Sequence, residues 1–239
     1  MQRILTKNMV KDRLKYLHSK LPPKPTAVLE PYSLPEDGLK DVRQSNYSQA
    51  SLQRISDHMG YYLGLFESVR ISFVEEREKI WVGTNDGTLT YGKNKSPICG
   101  LYKRASPIHS EILLLKKPDF EIEHILAILA HECTHNYLCH HQINDSDELE
   151  NEVLTDLAAA YLGLGALILD GYEAITWEIG YVTAKDIRYA IVYSAKLRKL
   201  KELASFLPLL DRINVSFYFW GQKLLRSCSS ARVSRLFRD

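Results

Sequence analysis

Two rhythms of apolar residues divide this chain, one at helical spacing and one alternating. Near the N-terminus Ile4, Leu5, Met9, Val10, Leu14 and Leu17 fall on one side of a helix. Pro22, Pro23, Pro25, Pro31 and Pro35 follow, and a segment so rich in proline reads as an extended linker wrapping the domain. Helical spacing returns from Ser51 to Leu65, with Leu52, Ile55, Met59, Tyr62 and Leu63 on one stripe. Then the period changes to two. Val69–Val74 alternates, and Lys79–Val82 and Leu89–Tyr91 flank the turn signal Asn85-Asp86-Gly87. Ile98–Tyr102 and Ile108–Lys116 predict two further strands. Pro118 ends the last of these, and Asp119 is a good N-cap for what comes next. The remainder predicts helices over about 120–139, 147–169, 183–200 and 209–225, the third opened by a capping box from Thr183 to Asp186. A strand-rich part followed by a helical part makes an α+β domain.

Composition narrows the class without naming a function. With 239 residues, 45% of them hydrophobic and 25% charged, the chain can build one sizeable core. The division is residues 1–45 as N-terminal helix and Pro-rich linker, 46–225 as the main domain, and 226–239 as a basic flexible tail carrying Arg226, Arg232, Arg235 and Arg238. A net charge of +2 argues against nucleic acid as the main partner, although the tail on its own would suit an acidic one. No stretch approaches the roughly 20 apolar residues that span a bilayer, so no membrane association is expected. The first 21 residues are basic and nearly free of acids, as in an organellar transit peptide, but an amphipathic helix accounts for them more simply. Cys99, Cys133, Cys139 and Cys228 form no CxxC pair, which fits free thiols in a reducing, cytoplasmic setting.

The chemistry lies in Ala130-His131-Glu132-Cys133-Thr134-His135, an HExxH motif on an apolar helix. Histidines four apart stand on one helix face, about 6 Å apart along the axis, so both imidazoles reach one metal ion. Glu132 lies on the adjacent face, placed to take a proton from a metal-activated water. From the composition, roughly 0.02 accidental matches to this pattern are expected in the chain. The expected metal is Zn2+.

A zinc site needs a third protein ligand, and the residues offer several. His141 stands ten after His131, where metzincins place their third histidine. Leu138 occupies the position of that family's turning glycine, and Met1, Met9 and Met59 all precede the motif, leaving no downstream Met-turn. Glu152 is the stronger candidate, in Asn151-Glu152-Val153-Leu154-Thr155-Asp156, with Glu148 and Glu150 as alternatives. This stretch resembles the second-helix motif of the gluzincins, the thermolysin-like zinc peptidases. The resemblance runs from about Ser110 to Gly165, in a minimal form with a short interhelical loop. It implies a zincin-like fold: a small twisted β-sheet, an active-site helix and a helical C-terminal part. It also implies Glu152 as third ligand and Asp156 as the acceptor that orients His131. In that family an edge strand before the motif helix pairs with substrate, and Ser110–Leu115 stands in that place, where a buried core strand is the competing reading.

Other residues carry less. His124, seven before His131, lies about 10 Å from it along the helix and reads as a surface or capping histidine. Cys133 points away from the histidine pair. Cys139, His140 and His141 cluster at the helix end without an obvious task. Tyr181, Tyr189 and Tyr193 are candidates to stabilise an oxyanion, and Lys196, Arg198, Lys199 and Lys201 read as a solvated helix end. The expectation is a zinc-dependent metallopeptidase acting on a peptide or protein substrate. The alternative is a catalytically silent zinc-binding regulatory or scaffold protein.

Overall fold

A computed structural model of the chain describes residues 4–21, 31–74, 81–82, 89–90, 100–106, 109–115, 120–174, 180–205, 207–209, 211–213 and 216. They form helices α1 (Lys7–Lys20), α2 (Glu36–Gln44) and α3 (Gln49–Leu63), strands β1 (Val69–Val74), β2 (Trp81–Val82), β3 (Leu89–Thr90), β4 (Gly100–Ser106) and β5 (His109–Leu115), then helices α4 (Ile122–His140), α5 (Glu148–Leu162), α6 (Gly165–Glu173) and α7 (Ala184–Arg198). A short 3-10 helix follows at Lys201–Ala204. The class is α+β. No single helix among the described residues is long and apolar enough to cross a membrane.

The main sheet runs β1-β5-β4, with β5 parallel to β1 and antiparallel to β4. Alternation decides its buried face: Ile71 pairs with Ile112, and both are fully buried. The free edge of β1 is covered by side chains from α3. Gln53 donates to Val69 O at 2.7 Å and accepts from Ile71 N at 2.8 Å, and Gln49 donates to Ile71 O at 2.6 Å. Ser110–Leu115 is therefore not an edge strand. Both sides of β5 are paired, and among the described residues the outer strand beside the motif helix is β4. The short strands β2 and β3 pair antiparallel as the turn signal predicts; the turn itself lies outside the described residues.

Helix α4 sits at the centre, with 15 of its 19 residues buried, which is why its sequence is apolar almost all round. It packs against α3 and the sheet on one side and against α5 and α6 on the other. Its start is fixed by a capping box between Glu121 and His124. His124 is fully buried, stacked on Phe120, and so is a capping histidine but not a surface one.

Two helical expectations change. The periodicity over 147–169 contains two helices, because α5 ends at Gly163 with φ 100° and α6 leaves at a bend of 120°. Helix α2 forms directly after Pro35, inside the stretch read as an extended linker. Helix α1 packs on α5 and α7 with Val10, Leu14 and Leu17 fully buried, and its Arg13 pairs with Glu150 of α5. Ile4, expected on the buried side, is 83% exposed, whereas its neighbour Leu5 is buried; both precede the helix. The expected helix over 209–225 and the basic tail fall almost wholly outside the described residues.

Candidate metal centre

The geometry follows from the middle of α4 meeting the N-terminal half of α5. Helix α4 presents His131 and His135 from successive turns, their ring centroids 4.7 Å apart. Helix α5, capped at Asp147 by a hydrogen bond from Glu150 N (3.0 Å), brings Glu152 opposite them. Glu152 Oε2 lies 2.9 Å from His131 Nε2 and 3.1 Å from His135 Nε2. His131, His135 and Glu152 offer ligand atoms within 4.8 Å of one another and can hold a metal ion.

The far side of each imidazole decides what those atoms can do. Thr155 Oγ1 donates to Asn151 O at 2.9 Å, so it accepts from His135 Nδ1 at 3.2 Å. Asp156 Oδ1 accepts from His131 Nδ1 at 2.8 Å. Both rings thus carry a proton on Nδ1, so in each neutral imidazole the Nε2 lone pair faces a carboxylate oxygen that is itself only an acceptor. Three acceptors facing one another need a cation or extra protons between them. A tetrahedral zinc site with bonds of about 2.0–2.2 Å sets its ligand atoms roughly 3.3 Å apart, near the separations found here. The donor set therefore suits a divalent metal ion, with zinc among those it can accommodate. The side chains of His131, His135 and Glu152 keep 11%, 14% and 20% exposure, so the cluster opens towards solvent, as a site with a vacant ligand position requires.

Electrostatics follow the same geometry in the metal-free protein. Burial opposes charge on His131, but hydrogen bonds to Asp156 and Glu152 outweigh it and raise its pKa well above the ordinary value. Burial likewise opposes charge on Glu152, and the two histidines overcome it, pulling the carboxyl well below the usual range. Glu132 is 5% exposed, and burial raises its pKa, partly offset by His131 and His135. The backbone of Tyr102 in β4 contributes last and least, favouring the charged carboxylate.

The approach of β4 depends on Gly100. A Cβ there would stand 2.4 Å from Ile128 Cγ2 and 2.7 Å from Glu132 Oε1. Only a residue without a side chain lets the strand lie this close to the motif helix.

The other candidates separate cleanly. His141 is the C-cap of α4 with its ring against Tyr137 (4.4 Å), outside the His131–His135–Glu152 cluster. Glu148 is exposed in the first turn of α5, and Glu150 is turned to Arg13. Cys133 faces α3, its Sγ 3.5 Å from Ser56 Oγ, and burial pushes its thiol up to about 12. Of the three tyrosines, Tyr181 stacks on His131 at 5.7 Å. Tyr189 and Tyr193 stack on each other beneath Lys7 and Lys11 of α1. Arg198 is not part of a solvated end: it donates to Tyr161 O at 2.6 Å and lies 5.0 Å from that ring. Sequence reasoning passed over Gly100, Thr155, Tyr172 and Gly180. Thr155 sat inside the quoted motif with a hydroxyl one turn from Asn151, a signal that was legible. The others depend on contacts between elements distant in sequence.

No family model matches the chain, no curated protein matches its sequence, and no solved structure matches its fold.

Proposed function

We propose that this chain is a metal-dependent hydrolase, and in particular a zinc metallopeptidase of the gluzincin kind with a zincin-like fold. The observation that carries the reading is the convergence of His131 Nε2, His135 Nε2 and Glu152 Oε2 beside the buried carboxylate of Glu132. His131, His135 and Glu152 are the residues that would hold the ion. Zinc bound there would supply Lewis acidity, lowering the pKa of a water towards about 7 and polarising the scissile carbonyl.

The chain's own groups do the rest. Glu132 is the general base: its desolvated carboxylate accepts a proton more readily than an exposed glutamate would, and it then gives that proton to the leaving amine. Strand β4, passing close at Gly100, walls the carboxylate in. Asp156 and Thr155 keep the imidazoles in the tautomer that points Nε2 at the ion. As the sheet's outer strand running past Glu132, β4 is where an extended peptide would add by backbone pairing.

The test is cleavage of a mixture of unstructured peptides by the zinc-loaded protein, read by mass spectrometry beside Glu132→Gln. Cleavage that disappears in Glu132→Gln, with zinc retained, supports the reading. Zinc-loaded protein that cleaves nothing would leave a silent binding protein in its place.

A further inference from the structure

One carboxylate behind the cluster gathers more partners than its role towards His131 requires. Asp156 is fully buried. Its Oδ1 accepts from His131 Nδ1 at 2.8 Å, while its Oδ2 accepts from the Tyr181 backbone N–H at 2.9 Å and from the Tyr172 hydroxyl. These donors come from three places: α4, α6, and the corner that leads into α7.

Each is delivered by a specific feature of the chain. The 120° bend after Gly163 folds α6 back so that Tyr172 returns over Asp156, sixteen residues upstream. Gly180 then carries the backbone across the end of the Tyr172 ring. With φ +90°, its Cβ would lie 1.8 Å from both Cζ and the hydroxyl oxygen of Tyr172, so no other residue fits without driving the hydroxyl off the carboxylate. The next residue, Tyr181, donates its N–H to Asp156 and stacks its ring on His131 at 5.7 Å and 26°.

We propose that Tyr172, seated by Gly180, is a positioning residue for the metal centre, locking Asp156 so that His131 presents Nε2 at the place where the ion sits. The proposal rests on the metal-site reading above. Without the Tyr172 hydroxyl, Asp156 Oδ2 loses one of its two donors and the carboxylate gains freedom to rotate about its Cβ–Cγ bond. The orientation of the His131 ring loosens with it, and a misaimed ligand weakens the metal without removing any atom that touches it.

Tyr172→Phe keeps the ring and removes only the hydroxyl. Zinc affinity is measured by competition with a chromophoric chelator, and the visible absorption of the cobalt-substituted protein reports ligand geometry. The expected result is affinity weakened by about 10-fold, within the range known for partners of metal ligands, with an altered cobalt spectrum. Gly180→Ala should reproduce both changes through a different atom. In Asp156→Asn, adding Tyr172→Phe should change the affinity less than 2-fold, because the two act as one unit. If the unmodified protein binds one zinc and Tyr172→Phe binds it equally well with an unchanged cobalt spectrum, Tyr172 merely fills space and the proposal fails. Additive losses in the double variant would overturn it as well. An unmodified protein that binds no zinc would instead bring down the metal-site reading beneath it.

Discussion

Replacing Gly100 with alanine adds a single methyl group where β4 lies against the motif helix. Carbon atoms rest about 3.5–4.0 Å apart, so a Cβ 2.4 Å from Ile128 Cγ2 requires a shift of at least about 1 Å. Ile128 is buried at 7% exposure within the core and has little room to yield. Overpacking of this kind costs about 1–3 kcal/mol, which for a chain of this length lowers Tm by roughly 2–4 °C per kcal/mol. The same methyl would lie 2.7 Å from Glu132 Oε1, so the carboxylate must move or β4 must lift away from it. Misplacing a catalytic group by about 1 Å costs on the order of 100-fold in rate. The atoms nearest to that methyl belong to Ile128 and Glu132 and not to His131, His135 or Glu152, so zinc content should stay at the unmodified level. Thermal melts, elemental analysis and peptide cleavage on one preparation read all three effects. A Gly100→Ala protein with unchanged Tm and full cleavage would refute the placement of β4 against Glu132, and loss of zinc would refute the separation of base from ligands.

Asp156→Asn should weaken zinc by about 10- to 100-fold while the fold persists, read by chelator competition; unchanged affinity would deny Asp156 its orienting role. The pH dependence has a definite sign. The raised pKa of His131 gives the metal-free protein stability that is present below about pH 6.5 and lost as pH rises through the folded value, whereas the depressed Glu152 gives stability that is present above about pH 4.3 and lost on acidification. Zinc must displace the His131 proton, so the rise in Tm on adding zinc should be larger at pH 8 than at pH 6, with proton release detectable in weakly buffered solution. A larger rise at pH 6 would count against His131 as ligand. Cys133, buried with its thiol pushed up to about 12, should escape alkylation in the native protein and react only after unfolding, as peptide mapping would reveal.

What the sequence disclosed and what it withheld follow from the range of the interactions. His131 and His135 share a face because helical spacing is local, and Glu152 and Asp156 face them from the middle of a second periodic helix. The capping boxes at Thr183 and Glu121 are equally local, although only the first was anticipated. The break at Gly163 is hidden because Val153–Leu162 is buried on all sides and, Thr155 and Asp156 apart, apolar, so the periodicity runs on into α6 through the bend. The rank of β5 in the sheet was also hidden. An apolar run such as Ile112–Leu115 suits a central strand, but nothing local reveals that β4 becomes the outer one. Gly100, Tyr172 and Gly180 matter only through contacts with Glu132, Asp156 and Tyr172 respectively, which follow from how the elements pack and not from residue spacing.

The most direct test of the central claim is zinc per chain, by elemental analysis of untagged protein, for the unmodified chain, Glu152→Ala and His141→Ala side by side. The geometry predicts one zinc per chain in the unmodified protein and in His141→Ala, and a weakened or empty site in Glu152→Ala. Loss in His141→Ala with retention in Glu152→Ala would move the third ligand away from α5. Absence of zinc from all three after reconstitution would contradict the metal centre itself.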